Sequence, residues 1–199
     1  MGIFCGVNMN VFKIPILLFP DDSKSFRAKF AGETCMIYFP RQVLKNKNHL
    51  LETIDQIFWR LLQKSRTADL LSRTEELNRL HFGFTYQKVR YHRQFRRWGS
   101  CSSLKNINIS HRLIGAPEPL IDYVIIHELA HLKYLNHGRE FWRLVRTTGF
   151  DPKRSRREIT EYGLLWHGDY LKWRRNLAKL IQSLSQSPMA VNQRSFFFK

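Results

Sequence analysis

Leu120-Ile121-Asp122-Tyr123-Val124-Ile125-Ile126 runs directly into His127-Glu128-Leu129-Ala130-His131-Leu132-Lys133-Tyr134-Leu135-Asn136-His137. The leading residues are apolar on nearly every side of a helix, which marks a helix buried all round. Ahead of it stands Ala116-Pro117-Glu118-Pro119. Proline suits a first helical turn, and Glu118 and Asp122 suit its positive end. The pattern predicts a helix to about Leu135, stopped near Asn136-His137-Gly138. His127 and His131 are four apart, so they lie ~40° apart around the axis and ~6 Å along it. Two imidazoles so placed can close on one metal ion. Glu128 projects to the side where an attacking water would sit, the H-E-x-x-H arrangement of zinc peptidases. Burying a carboxylate and two imidazoles is costly unless something satisfies them, and a divalent cation does so.

A catalytic zinc takes three protein ligands and keeps a fourth position for water. His137 is the candidate for the third, because Asn136 and Gly138 permit a left-handed turn that swings the chain back. Glu158, Glu161 and His167 are rivals further on, with Glu140 a weaker one because it falls on the next helix. The first, fifth and eleventh positions match metzincin spacing. Tyr134, however, stands where metzincins carry glycine, and no methionine turn follows.

Outward from this segment, Phe84–Tyr91, Phe95–Ser102 and Asn106–His111 read as three short strands, aromatic and β-branched, with Ser102–Lys105 turning between the last two. Ser25–Phe39 reads as a hairpin turning at Ala31-Gly32-Glu33. Leucines and isoleucines at helical spacing from Asn48 to His81 predict helix, split near Gln63–Thr67. After the histidines come a short helix over Arg139–Thr148, a basic cluster, and a last amphipathic helix over about Asp169–Leu184. Hairpin, helices, sheet and helices in that order give an α+β domain. Residues 1–24 read as a peripheral arm or edge strand, 25–184 as a single domain, and 185–199 as a flexible tail.

Several blocks together resemble the YgjP-like metallopeptidase family, which is related to the SprT-like and WLM zinc peptidases. They are Arg97-Trp98-Gly99-Ser100-Cys101-Ser102, Asn108-Ile109-Ser110 with Arg112-Leu113 and Ala116-Pro117, Ile121-Asp122-Tyr123-Val124, His127-Glu128-Leu129-Ala130-His131-Leu132, and Asn136-His137 with Phe141-Trp142. The match is dense from about residue 84 to 145 and holds only in outline over Ser25–Leu80. The resemblance implies one Zn2+ per chain on His127, His131 and His137, with Glu128 as general base. It also implies a minimal zincin-like fold, a small antiparallel-rich sheet packed on the H-E-x-x-H helix. An edge strand among Phe95–His111 would pair with an extended substrate. Trp98 reads as a core anchor and Cys101 as a buried thiol. Asp122 or a backbone carbonyl would orient the imidazoles, and Tyr162, His167 and Arg139 are candidates for stabilising the developing oxyanion.

The 199 residues are 43% hydrophobic and carry a formal net charge of +17, enough apolar matter for a core and a strong attraction for polyanions. No apolar run reaches the ~18 residues of a membrane span. Met1–Phe12 has neither the basic start nor the cleavage site of a signal peptide, and three scattered cysteines fit a cytoplasmic setting better than a disulfide scaffold. Positive charge concentrates at Arg93, Arg96, Arg97, Arg143, Arg146, Lys153, Arg154, Arg156 and Arg157, which are candidate nucleic-acid contacts. Two function classes follow. One is a zinc-dependent peptidase acting on a protein or peptide, with nucleic-acid-associated proteins among the candidates. The other is a basic nucleic-acid-binding protein with a structural or vestigial metal site. Glu128 favours the first, because a structural site has no use for an adjacent carboxylate.

Overall fold

In the computed structural model, which describes residues 11–186, the chain is α+β with two small sheets and mostly helix. It divides into two compact units, residues 63–165 and residues 11–62 with 166–186. The expectations for residues 1–10 and 187–199 lie outside the described residues.

The second of these units holds strands β1 (Ile16–Asp21), β2 (Arg27–Ala31) and β3 (Thr34–Pro40) and most of helix α1 (Lys47–Ser65). Strands β2 and β3 form the expected hairpin. Its two-residue turn begins at Gly32, whose φ of 58° asks for glycine. Strand β1 lies at the edge, parallel to β3 from Ile16↔Cys35 to Asp21↔Pro40. Residues before it are not peripheral: Val11, Phe12 and Ile14 are buried, with Phe12 among the rings of Trp59, Trp166, Tyr170 and Trp173. Buried Asp55 accepts from Trp59 Nε1 at 3.1 Å and Tyr170 OH at 3.2 Å, which satisfies the carboxylate inside this aromatic core.

The first unit carries the segment that opened the sequence. Helix α2 (Thr67–His81) leads to strands β4 (Lys88–His92), β5 (Gly99–Cys101) and β6 (Asn106–Ser110), then helices α3 (Glu118–Ala130), α4 (Arg139–Thr147) and the start of α5 (Pro152–Gln186). Strand order is β4-β6-β5, so β5 is an edge. Strand β5 runs antiparallel to β6 (Gly99↔Ile109, Cys101↔Ile107), but β4 runs parallel to it (Lys88↔Asn106, His92↔Ser110). Each sheet is therefore half parallel, not antiparallel-rich. Strand β4 also starts later than expected, because Asn78 holds Phe84 on both sides, donating to its carbonyl at 2.7 Å and accepting from its N–H at 3.0 Å.

Helix α3 packs against β5, β6, α2 and α4, and residues on all its faces are buried, from Leu120 through Ile126 to Ala130. One of the polar groups it buries is Asp122, 7% exposed. Arg73 of α2 satisfies it with a two-pronged bond, Nε to Oδ1 at 2.8 Å and Nη2 to Oδ2 at 2.5 Å. Asp122 is thus committed to Arg73 and not to an imidazole. Replacing Arg73 with Met leaves that carboxylate without its partner and is expected to cost ~2 kcal/mol, given that the guanidinium is partly exposed. Urea unfolding reads this as a lower midpoint, and Asp122→Asn in the same chain should recover part of it. Among the described residues no helix is long and apolar enough to cross a membrane.

Candidate metal centre

Helix α3 ends at Ala130, a turn earlier than its sequence suggests. Nothing after it rewards continuation: Leu135 is 76% exposed, and the chain tightens through Leu132 N–H to Leu129 O at 3.0 Å and Lys133 N–H to Ala130 O at 3.1 Å. This early stop lets the chain turn back. His131 caps the helix, and its Nδ1 lies 3.0 Å from the Tyr134 carbonyl. A carbonyl only accepts, so Nδ1 carries the proton and Nε2 keeps its lone pair. His137 then comes beside the helix, its Nε2 2.9 Å from His127 Nε2. One ligand atom from each of His127, His131 and His137 lies within 4.8 Å of the other two, the one such cluster among the described residues.

The imidazoles rest on α4. Phe141, 1% exposed, has its ring centroid 4.9 Å from that of His127, 4.6 Å from His131 and 4.8 Å from His137. Trp142 stacks on His137 at 5.4 Å. The sequence named this Phe-Trp pair only through the family resemblance. Its spacing one turn past Gly138, at the start of a helix, was the available sign that it would face the histidines. Burial, with the charges of His131, His137 and Arg156 against it, pushes His127 down to about 3. His137 is lowered by burial and by His131 and Arg156. Neutral imidazoles are the metal-binding form.

Glu128 is 4% exposed, and burial pushes its carboxyl up to about 8 against the opposing pull of Arg97. Among the described residues its Oε2 has no hydrogen-bond partner, nor has His127 Nδ1. Strand β5 closes on it so tightly that a Cβ placed on Gly99 would stand 2.6 Å from Glu128 Cγ and 2.7 Å from Cδ. The residues fit a divalent cation: three imidazoles that would repel if protonated, and an orphaned buried carboxylate oxygen beside them, are what a double positive charge satisfies.

Around the cluster is a cavity of about 800 Å3, lined on the β5 side by Arg97–Cys101 and on the helix side by Tyr123, Trp142, Arg156 and Thr160. Cys101 is half-buried there rather than sealed in the core, its thiol pushed up to about 11 by burial and by Glu128. Trp98 is also half-buried and is no core anchor. The Arg112 guanidinium lies 3.7 Å above its ring, and Tyr162 and Gly163 stand against it.

The rival ligands are elsewhere: Glu158 pairs with Arg154 at 2.7 Å, Glu161 with Arg157 at 4.0 Å and Glu140 with Arg143 at 2.5 Å, while His167 belongs to the other unit. Tyr162 donates to the Arg112 carbonyl at 2.8 Å, and Arg139 does not line the cavity. Of the basic residues singled out above, Arg97 and Arg156 line it. Arg93 lies over Phe95 at 5.4 Å, and Arg96, Arg146 and Lys153 are exposed.

Residues 23–162, well over half of the chain, match the family described as YgjP-like, metallopeptidase domain. No curated protein and no solved structure matches. The matched stretch takes in β5, the whole of α3, His137 and Phe141-Trp142. The motifs and the residues they gather lead to one assignment: the chain belongs to the YgjP-like metallopeptidase family.

Proposed function

We propose that the chain is a zinc-dependent peptidase with a minimal zincin-like fold, holding one Zn2+ on His127, His131 and His137 and using Glu128 as its general base. The supporting observation is the meeting of the three imidazoles beside a buried carboxylate in an open cavity. Zinc held there would supply Lewis acidity, polarising a carbonyl and lowering the pKa of a water so that hydroxide is available. Glu128 would accept a proton from the attacking water and return it to the departing amine. The Tyr134 carbonyl keeps His131 in the tautomer that offers Nε2. Phe141 holds all three rings in place. The unpaired side of β5, Gly99–Cys101, gives an extended substrate a backbone edge to join.

A structural metal is the competing reading, and it expects a fourth protein ligand. The cluster has three members among the described residues, and the group next to it is a carboxylate suited to proton transfer. Metal analysis separates the two. Protein purified without added metal is expected to carry about one zinc per chain, and His137→Ala to hold far less than one equivalent. A chelator should abolish hydrolysis of an unfolded protein substrate, and added zinc should restore it. Full zinc occupancy with no hydrolysis of any peptide would favour the structural reading.

A further inference from the structure

We infer that the cavity is built for acidic peptides, with Arg97 and Arg156 each binding a carboxylate of the substrate chain at separate points along its length. This inference rests on the peptidase reading and names its substrate class.

Three arginines open α5, and they are not equivalent. Arg154 pairs with Glu158 and Arg157 with Glu161, each four residues on along the same helix. The residue four beyond Arg156 is Thr160, itself a cavity wall. Arg156 is thus left without a carboxylate among the described residues, its guanidinium 6.0 Å over the Trp142 ring beside the histidines. Arg97 is in the same position on the β5 side. Residues 88–102 contain no acid, and Arg97 makes no salt bridge among the described residues, although its charge is felt by the buried Glu128 carboxyl. Of the residues lining the cavity, Glu128 alone is a carboxylate, and it is 4% exposed and engaged in the site itself.

The cavity therefore presents two exposed guanidinium groups that form no salt bridge among the described residues, between apolar walls of Trp98, Trp142, Leu135 and Ile159. Walls of low polarisability focus such a field, and a guanidinium fork matches a carboxylate on two atoms. A lysine-rich substrate meets repulsion at both points, and the net charge of +17 adds to it at longer range. Pairing along the edge of β5 would fix the backbone and leave side-chain choice to these arginines.

The test uses fluorescein-labelled peptides of one sequence whose flanking positions are all Glu, all Ala or all Lys. Binding is read by anisotropy on the zinc-loaded full chain carrying Glu128→Gln, and cleavage on the parent chain. The Glu peptide is expected to bind ~10-fold tighter than the Ala peptide, with the Lys peptide weakest and the difference shrinking in salt. Arg156→Gln and Arg97→Gln are each expected to weaken the Glu peptide ~3- to 10-fold. Arg157→Gln removes the same charge from a paired site outside the cavity and should leave affinity unchanged. Equal affinity for the three peptides overturns the inference, as does an equal loss in Arg157→Gln. So does displacement of every peptide alike by a DNA oligonucleotide. Cleavage without acid preference refutes this inference alone. Selective binding of the Glu peptide with no cleavage of any of them refutes the peptidase reading alone.

Discussion

Glu128→Gln is expected to keep about one zinc per chain and to lose ~10²- to 10⁴-fold in hydrolysis, the range a positioned proton-transfer group contributes. The amide has nearly the shape of the carboxylate, so it fits the space between α3 and β5 without new packing. It cannot take a proton from water. The three imidazoles that would hold the metal are separate from it, so occupancy is expected to survive while the rate does not. Stability gives an independent reading. The carboxylate is 4% exposed with one oxygen unpartnered among the described residues, so a neutral amide costs less to bury, and the metal-free variant should unfold no lower than the metal-free parent. A variant that still hydrolyses at the parent rate would remove Glu128 from the mechanism. One that loses both zinc and activity would make its role structural.

How much of this was legible beforehand depends on whether the cause was local. The buried helix from Leu120 announced itself by apolar residues on every face, and His127, Glu128 and His131 by their spacing along it. The Ser25–Phe39 hairpin had its alternation and its glycine. What stayed hidden was set by partners distant in sequence. Nothing in Phe84–Tyr91 reveals that Asn78 will bind Phe84 out of the strand. Nothing in β4 says that it will lie parallel to β6. Asp122 looked like an orienter for an imidazole because Arg73 lies 49 residues away. Helix α5 starts well before Asp169, and the signal for that is local. Asp151 ahead of Pro152 caps the helix, accepting from Lys153 N–H at 2.9 Å, and Arg154 and Arg157 of the basic cluster are stitched to Glu158 and Glu161 one turn on. The Tyr134 carbonyl, a backbone atom, leaves no trace in residue identity at all.

Gly99 tests whether the position of Glu128 matters as much as its presence. A glycine in a strand usually marks close approach by something else, and here that something is the Glu128 side chain. Gly99 pairs with Ile109 on β6, so its backbone is fixed by the ladder and cannot easily retreat. Adding one methyl group places carbon 2.6 Å from Glu128 Cγ, well inside van der Waals contact. The carboxylate, on the flexible side, must move. A displacement of about 1 Å in a reacting group can cost ~10²-fold, so Gly99→Ala is expected to lower kcat by about that factor. Gly99 also lines the cavity, but the clash falls on the Glu128 side chain and not on the histidines, so zinc content should change little and the loss should fall on kcat more than on KM. Gly163→Ala is the control for overpacking in general. Its methyl would stand 2.8 Å from Trp98 Cζ2 and push the indole instead of the carboxylate. That variant alters the cavity wall and is expected to raise KM more than it lowers kcat. If Gly99→Ala keeps its full kcat, the contact between β5 and Glu128 is packing alone. If the two alanines instead fall together in kcat, KM and zinc, the glycines serve the fold and not the proton.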